Sequence, residues 1–169
     1  MPRSALLIAV LALAACSSPR PDAVPVRADS LHAEPASPGA LDDGPQALAT
    51  SRAKWEMQRP GDYRFTYTRS CFCPPQYRGP FDVTVRSGAV ADVAYRGEGE
   101  PIDRPLTEYQ TVDDLFALIA EAFARDAARV DATYDPATGQ PTEVYIDYDE
   151  QMADEEVGFT IEPVRPVDG

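Results

Sequence analysis

Histidine is almost absent from this 169-residue chain: the one copy, His32, falls in a stretch rich in proline, alanine and serine. The rest of the chain therefore lacks the usual general base and the commonest zinc ligand. Positive charge is scarce too, with 15 lysines and arginines against 28 aspartates and glutamates, for a formal net charge of -13. That balance disfavours phosphate backbones, so nucleic acid is not an expected partner, and the acidity serves mainly to keep the protein in solution. No apolar run reaches the roughly 20 residues needed to cross a bilayer. Cysteine is limited to three copies. An odd number leaves one thiol over in an oxidising compartment unless it is consumed another way. No catalytic set and no cofactor or metal-ligand motif is assembled, so the expectation is a protein that is not an enzyme, with no catalytic residue, no cofactor and no metal.

What is present begins with a leader. Arg3 and the apolar run from Ala5 to Ala15 have the charged start and short hydrophobic segment of a secretory signal. The run closes in Leu13-Ala14-Ala15-Cys16, which resembles the lipobox of bacterial lipoproteins. The resemblance implies a signal peptide over 1–15, cleavage before Cys16, and a diacylglycerol on its sulfur. Several acyl chains at one terminus make a stable anchor, so the protein is expected to be attached to the membrane without crossing it. Ser17 follows the cysteine where the sorting pattern of Gram-negative lipoproteins reads an aspartate, which implies an outer-membrane address in such a source.

From Cys16 to Gly44 the chain carries Pro19, Pro21, Pro25, Pro35 and Pro38 among alanine, serine and aspartate, with no sustained apolar period. Residues 16–44 are expected to be a disordered tether spanning on the order of 30 Å. Residues 45–169 are the size of a single domain.

Within that domain, 45–57 reads as a helix ended by Pro60-Gly61, with Ala47, Leu48, Arg52, Trp55 and Glu56 at compatible spacings. Tyr63, Phe65 and Tyr67 alternate with Arg64, Thr66 and Thr68 as a half-buried strand; Phe81, Val83 and Val85 repeat the pattern, and Ser87-Gly88 turns the chain into a third strand over 90–95. A second helix opens at Thr111, with Asp114 as a capping-box partner and Leu115, Phe116, Ile119, Ala122 and Phe123 on one face. Strands follow at 130–134, 142–148 and 157–161. One helix and three strands thus occur twice, suggesting a duplicated unit. The expected class is α+β, an antiparallel sheet with helices on one face.

Three constellations can carry chemistry. Cys71-Phe72-Cys73-Pro74-Pro75 puts both thiols on the parity of Tyr63 and Tyr67, so a continued strand turns both sulfurs toward the core and leaves them poorly accessible. A structural pair, as a disulfide or two buried thiols, competes with thiol exchange and with a soft-metal site. The segment from Tyr134 to Thr142 has an aspartate before proline and a later glycine. That is turn chemistry, the alternative being a loop that presents Thr138 and Gln140 to a partner. Asp147, Asp149, Glu150, Asp154, Glu155 and Glu156 form the densest acidic cluster, read as a solvated loop, a weak cation site or an electrostatic partner surface. An EF-hand is excluded, because the sixth position counted from Asp147 is Met152 and the twelfth is Gly158. Trp55 and Tyr145 read as core and sheet-surface residues.

Trp55, Tyr63, Tyr67, Cys71-Phe72-Cys73-Pro74, Leu115-Phe116, Tyr134-Asp135-Pro136, Gly139, Pro141-Thr142, Ile146-Asp147 and Asp154-Glu155-Glu156 together resemble a family of small bacterial lipoproteins of unknown function. The resemblance implies a recurring secreted domain and supplies no activity, ligand or catalytic residue. The functional expectation is an envelope-anchored, non-enzymatic binding module whose partner is a protein of the envelope. The alternative is a thiol-dependent redox or metal protein centred on Cys71 and Cys73.

Overall fold

The strand and helix signals above are local, and they appear where the chain chemistry puts them in the computed structural model, which describes residues 44–101, 103–152 and 154–167. The leader, Cys16 and the tether lie outside the described residues. Helix α1 (Pro45–Gln58) opens on a proline in its first turn, where the missing N–H costs no helical bond. It buries only Ala47, Leu48 and Trp55; Arg52 and Glu56 form an exposed ion pair one turn apart. Strands β1 (Tyr63–Cys71), β2 (Phe81–Arg86) and β3 (Ala89–Tyr95) follow. Both residues of the β2–β3 turn, Ser87 and Gly88, have positive φ, the requirement of a primed hairpin turn.

Helix α2 (Val112–Ala124) has the full capping box: Asp114 N–H donates to Thr111 Oγ1 at 3.1 Å, and Thr111 N–H donates to Asp114 Oδ2 at 2.8 Å. The last strands are β4 (Arg129–Tyr134), β5 (Pro141–Asp147), β6 (Val157–Ile161) and a two-residue β7 (Arg165–Pro166).

The sheet order is β3-β2-β1-β6-β5-β4, with every pair antiparallel and β7 beside the start of β1. One strand parity supplies the core: Tyr63, Phe65 and Tyr67 of β1, Phe81, Val83 and Val85 of β2, Val144 and Ile146 of β5, Phe159 and Ile161 of β6. Trp55 from α1 and Leu115, Phe116 and Ile119 from α2 close over it, so the fold is α+β with the helices packed on one sheet face. Trp55 meets Tyr63 edge to face at 5.5 Å, and its indole N–H donates to Asp113 at 3.3 Å, so the buried indole keeps a polar partner.

The succession of one helix and three strands does occur twice, but the two units use the sheet differently. The strand after α1 is central, whereas β4, the strand after α2, lies at the edge.

Candidate functional site

Strand β1 outruns its neighbour β2, whose last partner is Tyr67 opposite Phe81, and continues beside β6 to Cys71 opposite Val157. Beyond Cys71 the chain cannot extend the ladder, because Pro74 and Pro75 offer no N–H, and it folds back through a 3-10 turn at Pro75–Tyr77. Cys71 and Cys73 are joined as a disulfide with their α-carbons 5.3 Å apart. Arg78 Nε donates to the Cys73 carbonyl at 3.0 Å and steadies the returning chain. Both cysteines are half-buried. Cys71 keeps the inward parity but lies where β2 no longer flanks the strand, and Cys73 is already past its end. The small ring between them turns Phe72 outward, leaving it 84% exposed.

The acidic segment reaches the same end of the sheet, since Val157, which starts β6, faces Cys71 on one side and Ile146 on the other. Asp147 is buried and accepts the Asp149 N–H at 3.0 Å; Asp149 accepts the Gln151 N–H at 2.9 Å. These two carboxylates hold their own loop. Asp154, Glu155 and Glu156 are exposed. Among the described residues no three histidine, cysteine or acidic side chains are grouped to hold a metal ion.

Glu156 lies with Tyr145, Cys71 and Phe72 along a groove of about 270 Å³, floored by Ser70 and Gly158. Partial burial, and next the Glu156 carboxylate, raise the Tyr145 phenol above its ordinary pKa of 10.0, so it stays a neutral donor at neutral pH. A Cβ on Gly158 would meet the Ser70 hydroxyl, which would have to rotate away to admit it. Cys71 of the cysteine pair and Glu156 of the acidic run thus line one groove.

The Tyr134–Thr142 segment is a turn between β4 and β5. Its Asp135 carboxylate accepts from the Ala137 and Thr138 N–H groups at 2.9 and 2.7 Å and from the Thr138 hydroxyl at 2.9 Å. Gln140 is not presented to a partner. It is 1% exposed, and its amide donates to the Glu162 carbonyl at 2.7 Å and accepts from the Val164 N–H at 2.9 Å. The turn is a brace inside the fold.

A family of unknown function, DUF6174, matches residues 47–166, from the first turn of α1 to the end of β7. The chain belongs to that family. No curated protein and no solved structure matches it. The DUF6174 region therefore includes the disulfide end, the acidic loop and the braced turn, while Cys16 lies before it and outside the described residues.

Phe72 carries a signal in the sequence alone: if both cysteines of Cys-Phe-Cys face in, the residue between them faces out. Its apolar character pointed the other way. Among the described residues, no helix is long and apolar enough to cross a membrane.

Proposed function

We propose that the chain is a lipid-anchored protein of the bacterial envelope whose domain is a non-enzymatic module that binds an envelope protein at the disulfide end of the sheet. The observation that carries this reading is Phe72, 84% exposed and held out by the Cys71–Cys73 ring. A rigidly displayed aromatic loses little conformational freedom on binding, and such residues anchor interfaces when a partner offers a pocket. Glu156, which lines the same groove, puts negative charge beside that anchor, and the exposed Asp154 and Glu155 precede it in the chain. The matching partner surface is an apolar pocket with a basic rim.

Leu13-Ala14-Ala15-Cys16 supports lipidation at Cys16, with 16–44 as the tether that lets the domain stand off the membrane. In a Gram-negative source, Ser17 supports an outer-membrane anchor with the domain facing the periplasm.

The test is site-specific photocrosslinking in intact cells at native expression, with the crosslinker at position 72 and, as control, at Met57, which is 79% exposed on α1. A discrete adduct from position 72, lost when Glu156 is changed to lysine, supports the reading. Equal capture from both positions, or none beyond abundant neighbours, counts against it. For the anchor, Cys16→Ala is expected to abolish labelling by a fatty-acid analogue, and continued labelling refutes lipidation at that cysteine.

A second reading rests on the half-buried disulfide at the mouth of the groove: thiol exchange, or soft-metal binding by the reduced pair. A free-thiol count with a measured reduction potential separates it from the first. A pair that remains oxidised at the potential of its compartment leaves the binding module as the function.

A further inference from the structure

A second region, on the helix-facing side of the sheet, combines unsatisfied cationic donors with a cavity. Arg69 follows Tyr67 on the inward parity of β1, in register with Phe159, and its guanidinium lies 5.9 Å from that ring centroid. Arg104 comes from the proline-flanked loop before the 3-10 turn Leu106–Glu108. Its guanidinium lies 3.8 Å from the Tyr109 ring centroid and 5.2 Å from that of Phe81. Both arginines line a cavity of about 130 Å³, walled on its apolar side by Leu118, Val157 and Phe159.

Nε of each arginine is closed off from water and has no hydrogen-bond partner. Among the described residues six other arginines are ion-paired with carboxylates, and neither Arg69 nor Arg104 is. Aromatic rings satisfy the face of a guanidinium but not its in-plane N–H donors, which need oxygen acceptors. In a chain with 28 acidic residues, two such cations converge on one small space without a carboxylate bonded to either.

We infer that this cavity binds a short-chain monocarboxylate, its head group held by Arg69 and Arg104 and its aliphatic tail laid against Leu118, Val157 and Phe159. The volume equals roughly that of four water molecules in the liquid, room for an acid of about four carbons. Glu108 on the cavity wall repels a second negative charge and selects against dianions such as phosphate. Tyr67 adds no charge of its own, because burial raises its phenol above the ordinary value. The carboxylate can belong to a free acid or to the end of a peptide chain, and the inference does not rest on the partner surface proposed at Phe72, although Val157 lines both places.

The experiment titrates the purified full chain at constant ionic strength with sodium butyrate and, in parallel, with butyramide, following the Arg69 and Arg104 Nε–H and Leu118 methyl resonances. Butyrate is expected to give saturable shifts at all three residues, and butyramide to bind at least about tenfold more weakly, since it carries no negative charge and only one acceptor oxygen. Arg104→Lys keeps the charge and loses the planar fork, so it is expected to weaken butyrate by about tenfold while the melting transition stays in the wild-type range. If that variant unfolds, the acid-against-amide comparison on the unaltered protein still decides. A tetrapeptide with a free carboxyl terminus, set beside its amidated form, separates the two sources. Saturation by butyrate alone assigns a free acid, and saturation by the free-ended peptide as well assigns a chain terminus. The inference is overturned by no saturable shift with either acid, by equal binding of butyrate and butyramide, or by tighter binding of inorganic phosphate than of butyrate.

Discussion

Replacing Gln140 by leucine removes a side chain that ties the β4–β5 turn to the chain running from β6 to β7. Its amide makes two hydrogen bonds, donating to the Glu162 carbonyl at 2.7 Å and accepting from the Val164 N–H at 2.9 Å, and the side chain is 1% exposed. Leucine has similar size, so little of the loss is cavity. At about 1 kcal/mol for each net hydrogen bond the cost is about 2 kcal/mol, rising to roughly 4 kcal/mol if the two backbone groups cannot regain water. Glu162 is exposed, which favours the lower figure.

The damage should be local first. β7 is held to β1 over only two residue pairs, Tyr63 with Pro166 and Arg64 with Arg165. Urea unfolding gives the stability loss, and amide exchange at Val164 and Val167 should accelerate more than at Val144 in the centre of β5. Gln140→Glu adds a signature in pH. A buried carboxyl has its folded pKa raised, so this variant binds its proton more tightly when folded, and its deficit should be smaller near pH 4 than at pH 7. A loss from Gln140→Leu below about 0.5 kcal/mol, with unchanged exchange at Val164, refutes the bracing role.

Thr111→Ala removes the hydroxyl half of the α2 capping box and should cost about 1 kcal/mol in thermal or urea unfolding. Asp135 has its carboxyl held below the ordinary 3.8, chiefly by hydrogen bonds from Thr138. Its contribution is therefore present above the unfolded value and lost as pH falls through the folded one, so the stability gap between wild type and Asp135→Ala should close on acidification. Gly139 has φ +78, and a Cβ there would strike the Ser51 carbonyl of α1, so Gly139→Ala should cost more than about 2 kcal/mol in a urea titration. The double change Cys71→Ala with Cys73→Ala should leave the domain folded and cost only about 1.5 kcal/mol by calorimetry, because so short a ring constrains the unfolded chain little.

The elements were legible because their causes are short-range. Period-two alternation from Tyr63 to Tyr67 and from Phe81 to Val85, the Thr111–Asp114 box and the Ser87–Gly88 turn each act over a few residues. Helix α1 was legible for weaker reasons, since its terminal Pro-Gly breaker marked it more clearly than its apolar face, which reduces to Ala47, Leu48 and Trp55. Strand β7 gave no signal: two residues beside the start of β1 carry no period, and their pairing depends on where the rest of the sheet leaves an open edge. Arg104 was equally silent, because nothing in the residues around it says that Tyr109 and Phe81 will close over it.

By itself the sequence determined which of the longer segments are helix and strand, which strand face is apolar, and that an anion-rich chain without histidine beyond its N-terminal quarter is poorly equipped for general-base chemistry. Tertiary structure alone decided that β1 pairs with β6, and from that pairing everything else at the candidate site follows. Antiparallel alignment brings the end of β1 to the start of β6, so Cys71 and Glu156, far apart in the chain, share one groove. The separate register of β1 with β2 stops at Tyr67 opposite Phe81, short of Cys71, and Phe72 stands out from the domain. Long-range strand pairing is set by how the whole apolar face is buried at once, and no local window of residues contains that information.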